Sequence, residues 1–186
     1  MDAILLAGGK STRMNENKML KVFDGKSLII HTVESLYDVV KRIIVVTGKY
    51  HEEIKEALKD YNKVVIIRNE EYEKGMFSSV KVGVSLTNSD FLIIPGDCPF
   101  IKPSTFKKIT ETKALIAVAT YKNHRGHPIF FNKMYKDLLI ESTDKHLKAF
   151  RNRYDFEDIE VDDEGVLIDI DTIDDLNNVL KHRKEE

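Results

Sequence analysis

The sequence contains few of the residues that build disulfide frameworks, metal–sulfur sites or membrane spans. Its 186 residues include one cysteine, Cys98, and no tryptophan. A single cysteine excludes an internal disulfide and any cysteine-rich zinc or iron–sulfur site, and it is compatible with a reducing compartment. No apolar run approaches the roughly eighteen residues that a membrane-spanning helix requires.

A strong charge of either sign is also absent. The chain has 29 Lys and Arg against 31 Asp and Glu, which gives a net charge of −2. A general nucleic-acid binder would normally be basic, and the first residues lack the basic start of a secretory signal. We therefore expect a cytoplasmic protein with neither a nucleic-acid nor a membrane partner.

The composition is that of a soluble globular protein, with 42% hydrophobic and 32% charged residues. The length suits one domain with a sizeable core, so we predict a single domain over residues 1–186.

Short apolar runs alternate along the chain with amphipathic stretches. The runs predict strands at 3–7, 42–47, 64–67, 91–94 and 115–120, and the stretches predict helices at 28–39, 51–58, 77–86 and 105–112. This alternation implies an α/β fold, a Rossmann-like three-layer sandwich around a mostly parallel sheet. The last third is less regular, with apolar runs at 128–131 and 166–170 and a helix at 172–180.

Glycines follow the first predicted strand, at the sheet edge where ligands of such folds bind. Gly8-Gly9 allows a sharp turn with inward N–H groups, and Lys10, Arg13 and Lys18 follow it. Backbone amides with nearby cations suit a polyphosphate. The alternative is a simple turn with solvated cations. A Walker A loop is excluded because Ile4 stands where that motif requires glycine.

Carboxylates occur in two candidate metal-binding segments. Asp97 follows Gly96 at the end of the fourth predicted strand, where it suits Mg²⁺. Alternatively, Asp97 caps the helix after Pro103. Asp169 and Asp171 alternate along a predicted strand. One of them is either a second metal ligand or, like Thr172, an N-cap of the last helix.

Three further segments have both a structural and a functional interpretation. Gly75–Ser79 opens a helix, where its serines either act as caps or contact a base or ribose. His124–His127 is only weak evidence for a metal site and favours a turn or a substrate-facing loop. Cys98 lacks an identifiable partner base and is expected to fill buried space, and His31 is expected to be structural.

Five motifs, taken in order, resemble the nucleotidyltransferase family that makes dinucleotide forms of the molybdenum cofactor. They are Leu6-Ala7-Gly8-Gly9-x-Ser11-x-Arg13-Met14 with Lys18, Gly75-Met76-x-Ser78-Ser79, Gly96-Asp97-Cys98-Pro99, Gly126-His127-Pro128 and Asp169-Ile170-Asp171-Thr172. Gly8 is typical of the guanylyltransferase branch, and Gly126-His127-Pro128 of the cytidylyltransferase branch.

The resemblance implies a nucleotide-diphospho-sugar transferase type of fold and a set of site residues. It implies Mg²⁺ bound at Asp97, with Asp171 as a second ligand, and it places His127 on the acceptor side. Arg13, Lys18 and Asp97 would be catalytic. The implied nucleotide-binding residues are Leu6, Ala7, Gly8, Gly9, Arg13, Lys18, Gly75, Ser78 and Ser79.

The implied reaction transfers a nucleoside monophosphate from CTP, or GTP, to the phosphate of a molybdopterin-type cofactor and releases pyrophosphate. The partners would be a nucleoside triphosphate and a phosphate-bearing small molecule, with transient contact to a molybdoenzyme or its chaperone. Three alternatives stay open. They are a sugar phosphate or phosphocholine-like acceptor, a non-catalytic nucleotide-binding module, and an α/β domain whose glycines only form turns.

Overall fold

A seven-stranded sheet forms the centre of the fold, in a computed structural model that describes residues 1–9 and 17–182. The strand order is β5-β4-β1-β6-β8-β7-β9, and a two-stranded hairpin, β2-β3, lies apart. The strands are β1 (Asp2–Ala7), β2 (Val22–Phe23), β3 (Lys26–Ser27), β4 (Arg42–Thr47), β5 (Val64–Arg68), β6 (Phe91–Pro95), β7 (Ile116–Tyr121), β8 (His124–Phe131) and β9 (Glu157–Glu160).

Helices lie on both faces of this sheet. They are α1 (Leu28–Tyr37), α2 (His51–Ala57), α3 (Met76–Ser85), α4 (Pro103–Thr110), α5 (Lys136–Glu141), α6 (Leu147–Arg151) and α7 (Ile173–His182). The apolar side chains of α1, α2 and α4 pack on one face, and those of α3, α5 and α6 on the other. The predicted three-layer α/β sandwich is therefore confirmed. In the described part of the chain, no helix is long and apolar enough to cross a bilayer.

The alternation of side chains along β1 explains why both faces are covered. Its six residues are all buried. Ala3, Leu5 and Ala7 pack into one core cluster, whereas Ile4 and Leu6 pack into the other. Because successive side chains of a strand point to opposite faces, a continuous apolar strand requires a layer on each side.

Only β8 runs against the other strands of the large sheet, since it pairs antiparallel with both β6 and β7. A two-residue turn joins β7 to β8, with positive φ angles at Lys122 (49°) and Asn123 (64°). Two left-handed residues make the turn that suits a hairpin. The prediction of a loop over His124–His127 was therefore wrong, because those residues begin β8.

The C-terminal segment also differs from the prediction. Glu164–Leu167 forms a 3-10 turn, and the residues after it lie outside the sheet, so Asp169 and Asp171 are not on a strand. The predicted cap of the last helix is confirmed, since Thr172 Oγ1 accepts a hydrogen bond from Asp175 N at 3.1 Å. Ser27 is the N-cap residue of α1, and among the described residues its side chain makes no capping hydrogen bond.

A buried carboxylate joins α4 to the C-terminal segment. Asp163 is 2% exposed. Its Oδ2 accepts hydrogen bonds from Lys102 N at 2.8 Å and Thr105 Oγ1 at 2.6 Å, and its Oδ1 accepts one from Gly165 N at 3.0 Å. Asp163 thus satisfies donors on two segments at once, which holds the 164–167 turn against the start of α4.

We expect Asp163→Asn to lower the free energy of unfolding by about 2–3 kcal/mol, because an amide NH₂ must replace an acceptor and leave a buried donor unsatisfied. Urea denaturation followed by circular dichroism measures this change. The adjacent, exposed Asp162→Asn is the matched control and should stay within about 0.5 kcal/mol of wild type. Equal stability of the two variants would contradict the role given to Asp163.

Candidate active site

An ammonium group held between two carboxylates lies at the carboxyl edge of the sheet. Lys18 Nζ is 2.5 Å from Asp97 Oδ2 and 2.9 Å from Asp171 Oδ1. Lys18 begins a 3-10 turn, Asp97 follows β6, and Asp171 precedes α7. The structure therefore brings together three residues that the sequence placed in separate motifs.

Several hydrogen bonds fix the turn that carries Asp97. Gly96 N donates to Leu6 O at 2.9 Å, and Thr32 Oγ1 donates to Gly96 O at 3.1 Å. Ile170 N donates to Asp97 O at 2.9 Å, which ties the turn to the segment of Asp171. Asp97 does not cap α4, whose N-cap residue is Lys102.

The charged groups at this edge of the sheet stabilise the protonated form of Lys18. Burial alone lowers the pKa of Lys18, but Asp97 and Asp171 outweigh burial and raise that pKa above its ordinary value of 10.5. The side chains of Lys18 and Asp97 are 12% and 14% exposed, whereas that of Asp171 is 43% exposed. Lys18 therefore stays protonated, and the three groups together carry a net charge of −1.

These carboxylates could hold part of the coordination shell of a divalent cation. A cationic group already lies within hydrogen-bonding distance of an oxygen from each, so their oxygens converge on one positive charge. Across residues 1–9 and 17–182, no group of three or more His, Cys, Asp or Glu side chains could hold a metal. A metal bound here would need further ligands from phosphate or water, which is usual for Mg²⁺.

A cavity of about 290 Å³ opens beside Gly8 and Gly9. Its lining residues come from the end of β1 and the residues after it, from the 3-10 turn Tyr72–Lys74 and from the start of α3. They are Leu6, Gly8, Gly9, Tyr72, Glu73, Gly75, Met76 and Ser79. A Cβ on Gly8 would lie 2.9 Å from Ser79 Oγ, so a larger residue would displace the serine. The structure thus groups Gly8 and Gly9 of the first sequence motif with Gly75 and Ser79 of the second around one cavity.

The serines Ser78 and Ser79 of α3 do not occupy its N-cap position, and both accept a hydrogen bond from Asn69. The N-cap position belongs to Gly75, at a φ of 101°. Asn69, which is 2% exposed, donates through Nδ2 to Ser78 Oγ at 2.8 Å and Ser79 Oγ at 3.0 Å. Sequence reasoning missed Asn69, although an asparagine directly after the strand β5 was an available signal.

His127 lies on β8, on the other side of β6 from the glycine cavity. Its Nδ1 is buried and has no hydrogen-bond partner among residues 1–9 and 17–182. Burial lowers the pKa of His127 and the charge of Arg151 lowers it further, whereas Asp97 and Asp169 raise it, with a net decrease. His127 is therefore neutral at neutral pH and close enough to Asp97 to interact with it electrostatically.

The remaining residues discussed from the sequence are Lys10, Arg13, Cys98 and His31. Lys10 and Arg13 lie outside the described residues. Cys98 is buried, and burial raises the pKa of its thiol, in agreement with a space-filling role. His31 stacks on Phe23 at 3.9 Å between ring centroids and contacts Phe23 O through Nε2, as expected of a structural histidine.

Comparison with known proteins identifies what this chain is similar to. Residues 3–158 match the family model described as the MobA-like NTP transferase domain. Molybdenum cofactor cytidylyltransferase of Escherichia coli is 27% identical over 179 residues, which cover 95% of this chain and 93% of that protein. A probable molybdenum cofactor guanylyltransferase of Pyrococcus horikoshii is 28% identical over 147 residues, covering 75% of this chain and 73% of that protein.

Solved structures share the fold. The crystal structure of Rv0371c from Mycobacterium tuberculosis superposes with a TM-score of 0.84 at 22% identity, covering 97% of this chain and 98% of that one. Another crystal structure of that protein is a complex with manganese.

The half-buried, neutral His127 should make the folded state sensitive to acid. Because its pKa is lowered on folding, the unfolded chain binds the extra proton first, and this contribution to stability is lost as pH falls below about 6.5. We expect His127→Asn to reduce the loss of unfolding free energy between pH 7 and pH 5, measured by urea denaturation at each pH. His124→Asn, at the exposed start of the same strand, is the control, and an unchanged slope in His127→Asn would refute the assignment.

Proposed function

The chain belongs to the family of MobA-like NTP transferase domains, and we propose that it transfers the nucleoside monophosphate of CTP or GTP to the phosphate of a molybdopterin-type acceptor, releasing pyrophosphate. As a nucleotidyltransferase, it requires a nucleoside triphosphate and a small-molecule acceptor. A cytoplasmic location, expected from the sequence, and a transient contact with a molybdoenzyme or its chaperone, implied by the resemblance, are part of the proposal.

The contact of Lys18 with Asp97 and Asp171 carries this proposal. A buried cation and two acidic groups at the carboxyl edge of a mostly parallel sheet are suited to phosphoryl chemistry, which depends on positioning and charge neutralisation. They lie at the edge where ligands bind in folds of this class. A purely structural ion pair would not need an adjoining glycine-lined cavity.

In this proposal, the cavity beside Gly8 and Gly9 receives the nucleoside. The open backbone at these glycines allows close approach of the nucleotide, and Ser79 is held in place by Asn69. Lys18, together with Arg13, neutralises the negative charge that grows on the leaving pyrophosphate.

Asp97 and Asp171 are the residues that would hold Mg²⁺. When bound, the ion would supply charge neutralisation for the phosphates and a template for the triphosphate. Lys18 would then have a second role. Its ammonium pairs with the same two carboxylates and would hold them together before a metal is bound.

The acceptor approaches from the side of His127. An anionic phosphate oxygen of the acceptor attacks the α-phosphorus of the nucleotide, the bond from the α-phosphorus to the bridging oxygen breaks, and pyrophosphate leaves with that electron pair. The nucleophile is already ionised, so the reaction requires no strong general base. The residues of this chain are thus assigned to binding, orientation and charge neutralisation.

Asp97→Asn should lower pyrophosphate release at least about a hundredfold while leaving the circular dichroism spectrum unchanged, because a positioned charge contributes mainly to the transition state. The assay supplies molybdopterin, Mg²⁺, and CTP or GTP. Asp174→Asn, at an exposed position of α7, is the control and should keep wild-type turnover. Near-normal turnover of Asp97→Asn would remove the support for the proposed role.

A thermal-shift experiment with CTP, GTP, ATP and UTP, each with and without Mg²⁺, tests the nucleotide. A ligand at about a hundred times its Kd stabilises the native state by about 2.7 kcal/mol, which for a chain of this size raises Tm by roughly 5–10 °C. We expect this shift with CTP or GTP in the presence of Mg²⁺ and a smaller one with ATP and UTP. If none of the four nucleotides raises Tm, the result would favour the alternative of an α/β domain whose glycines only form turns.

A further inference from the structure

The hydroxyl group of Ser79 accepts a hydrogen bond but donates none within the described part of the chain. Ser79 lies on α3, is 3% exposed and lines the cavity beside Gly8 and Gly9. Its Oγ accepts a hydrogen bond from Asn69 Nδ2 at 3.0 Å, and no described residue accepts one from its proton. Buried polar groups are normally paired. The proton of Ser79 is therefore placed to serve a molecule bound in the cavity.

The neighbours of Asn69 fix the orientation of its side-chain amide. Its Oδ1 accepts a hydrogen bond from Glu71 N at 3.0 Å. Because a backbone N–H can only donate, the amide oxygen must face Glu71, and Nδ2 must face the serines. Nδ2 carries two protons, which it donates to Ser78 Oγ at 2.8 Å and to Ser79 Oγ. Asn69 thus acts on both serines as a donor.

The two serines differ in the use of their own protons. Ser78 Oγ lies within hydrogen-bonding distance of two backbone carbonyls, of which Gly75 O is the nearer at 2.7 Å. Since a carbonyl only accepts, the proton of Ser78 is used within the protein. Ser79 Oγ instead lies over the backbone of the cavity wall, 2.9 Å from where a Cβ on Gly8 would stand. Asn69 occupies a lone pair of this oxygen, so Ser79 can offer its proton to a ligand.

The rest of the cavity suits the flat, weakly charged part of a nucleotide. Leu6, Tyr72 and Met76 contribute apolar and aromatic surface to the lining, and Glu73 is the only charged residue that the described chain places there. Lys18, with its two carboxylate partners, is outside this lining. Nucleobases stack on aromatic side chains, whereas phosphates need cations. The base therefore fits this cavity better than the phosphates do.

We propose that Asn69 is a positioning residue for nucleotide selection, because it holds the Ser79 hydroxyl as a hydrogen-bond donor to a carbonyl oxygen of the base. The identity of the ligand rests on the proposed function. The carbonyl is O2 in cytosine and O6 in guanine, and either can only accept. Adenine carries an amino group in place of O6, which would face the serine as a second donor. A ribose hydroxyl, by contrast, can donate or accept and would not depend on this polarity.

Replacement of the carbonyl oxygen by sulfur tests the contact at a single atom. Titration calorimetry with Mg²⁺ and without an acceptor compares CTP with 2-thio-CTP, and GTP with 6-thio-GTP. Sulfur accepts hydrogen bonds weakly, so the wild type should bind the thio analogue of its preferred nucleotide about fivefold more weakly, the value of one neutral hydrogen bond. The readout is the ratio of the two Kd values. A wild-type ratio near one would overturn the proposal.

Matched variants assign this ratio to the two residues. Ser79→Ala removes the donor and should bring the ratio close to one. Asn69→Asp still accepts from Glu71 N but would also accept the proton of Ser79, so it should abolish the discrimination as well. The double variant should show no further change, since both substitutions remove the same contact.

Asn132→Asp is the control for the added charge. Asn132 directly follows β8, and its Oδ1 accepts a hydrogen bond from Met134 N at 3.1 Å, as Asn69 Oδ1 does from the backbone two residues on. It lies at the opposite edge of the sheet, since the neighbouring Phe131 pairs with Phe91 at the start of β6. Asn132→Asp should keep the wild-type ratio.

The outcomes separate this proposal from the proposed function. Nucleotide binding and transfer with an unchanged ratio in Ser79→Ala would reject the base contact and retain the function. Lost discrimination in Ser79→Ala but not in Asn69→Asp, or in Asn69→Ala if the former does not fold, would reject the role of Asn69. If Ser79→Ala instead removes the penalty of a 2′-deoxynucleotide, Ser79 contacts the ribose and the proposal is wrong. The expected ratios without transfer to molybdopterin would retain the proposal and reject the function.

Discussion

The ammonium of Lys18 between Asp97 and Asp171 is the contact on which the arrangement of the site depends. It joins residues that are 79 and 153 positions apart in the chain. Like charges on two close carboxylates repel, and a cation between them offsets that repulsion. In this structure the ammonium of Lys18 supplies the positive charge. In the proposed reaction a bound metal would add positive charge, and the phosphates would interact with both.

The topology of the sheet separates two sides of that contact. Parallel strands bring Gly8 and Asn69 to one edge, where the cavity for the proposed nucleotide opens. The single antiparallel strand, β8, delivers its first residues to the same edge on the other side of Asp97. A hairpin allows this with a short connection, because an antiparallel strand that follows a tight turn needs no crossover helix.

A buried polar atom without a partner lies on the second side. A fold normally pairs its buried polar atoms, and Asp163 follows this rule, since both of its carboxylate oxygens accept hydrogen bonds. His127 Nδ1 departs from it, because it is buried and has no hydrogen-bond partner among the described residues. The lowered pKa of His127 is also the source of the acid sensitivity expected for this region.

Local patterns in the sequence determined the α/β class, the strands β1 and β4 to β7, the capped last helix and the motifs around Gly8 and Asp97, because periodicity and turn residues act over a few positions. The tertiary structure decided the rest. No glycine marks the hairpin turn at Lys122-Asn123, so the sequence did not predict that β8 begins at His124. The ion pair of Lys18 with Asp171 and the hydrogen bond from Asn69 to Ser79 are contacts between distant segments, and no local pattern encodes them.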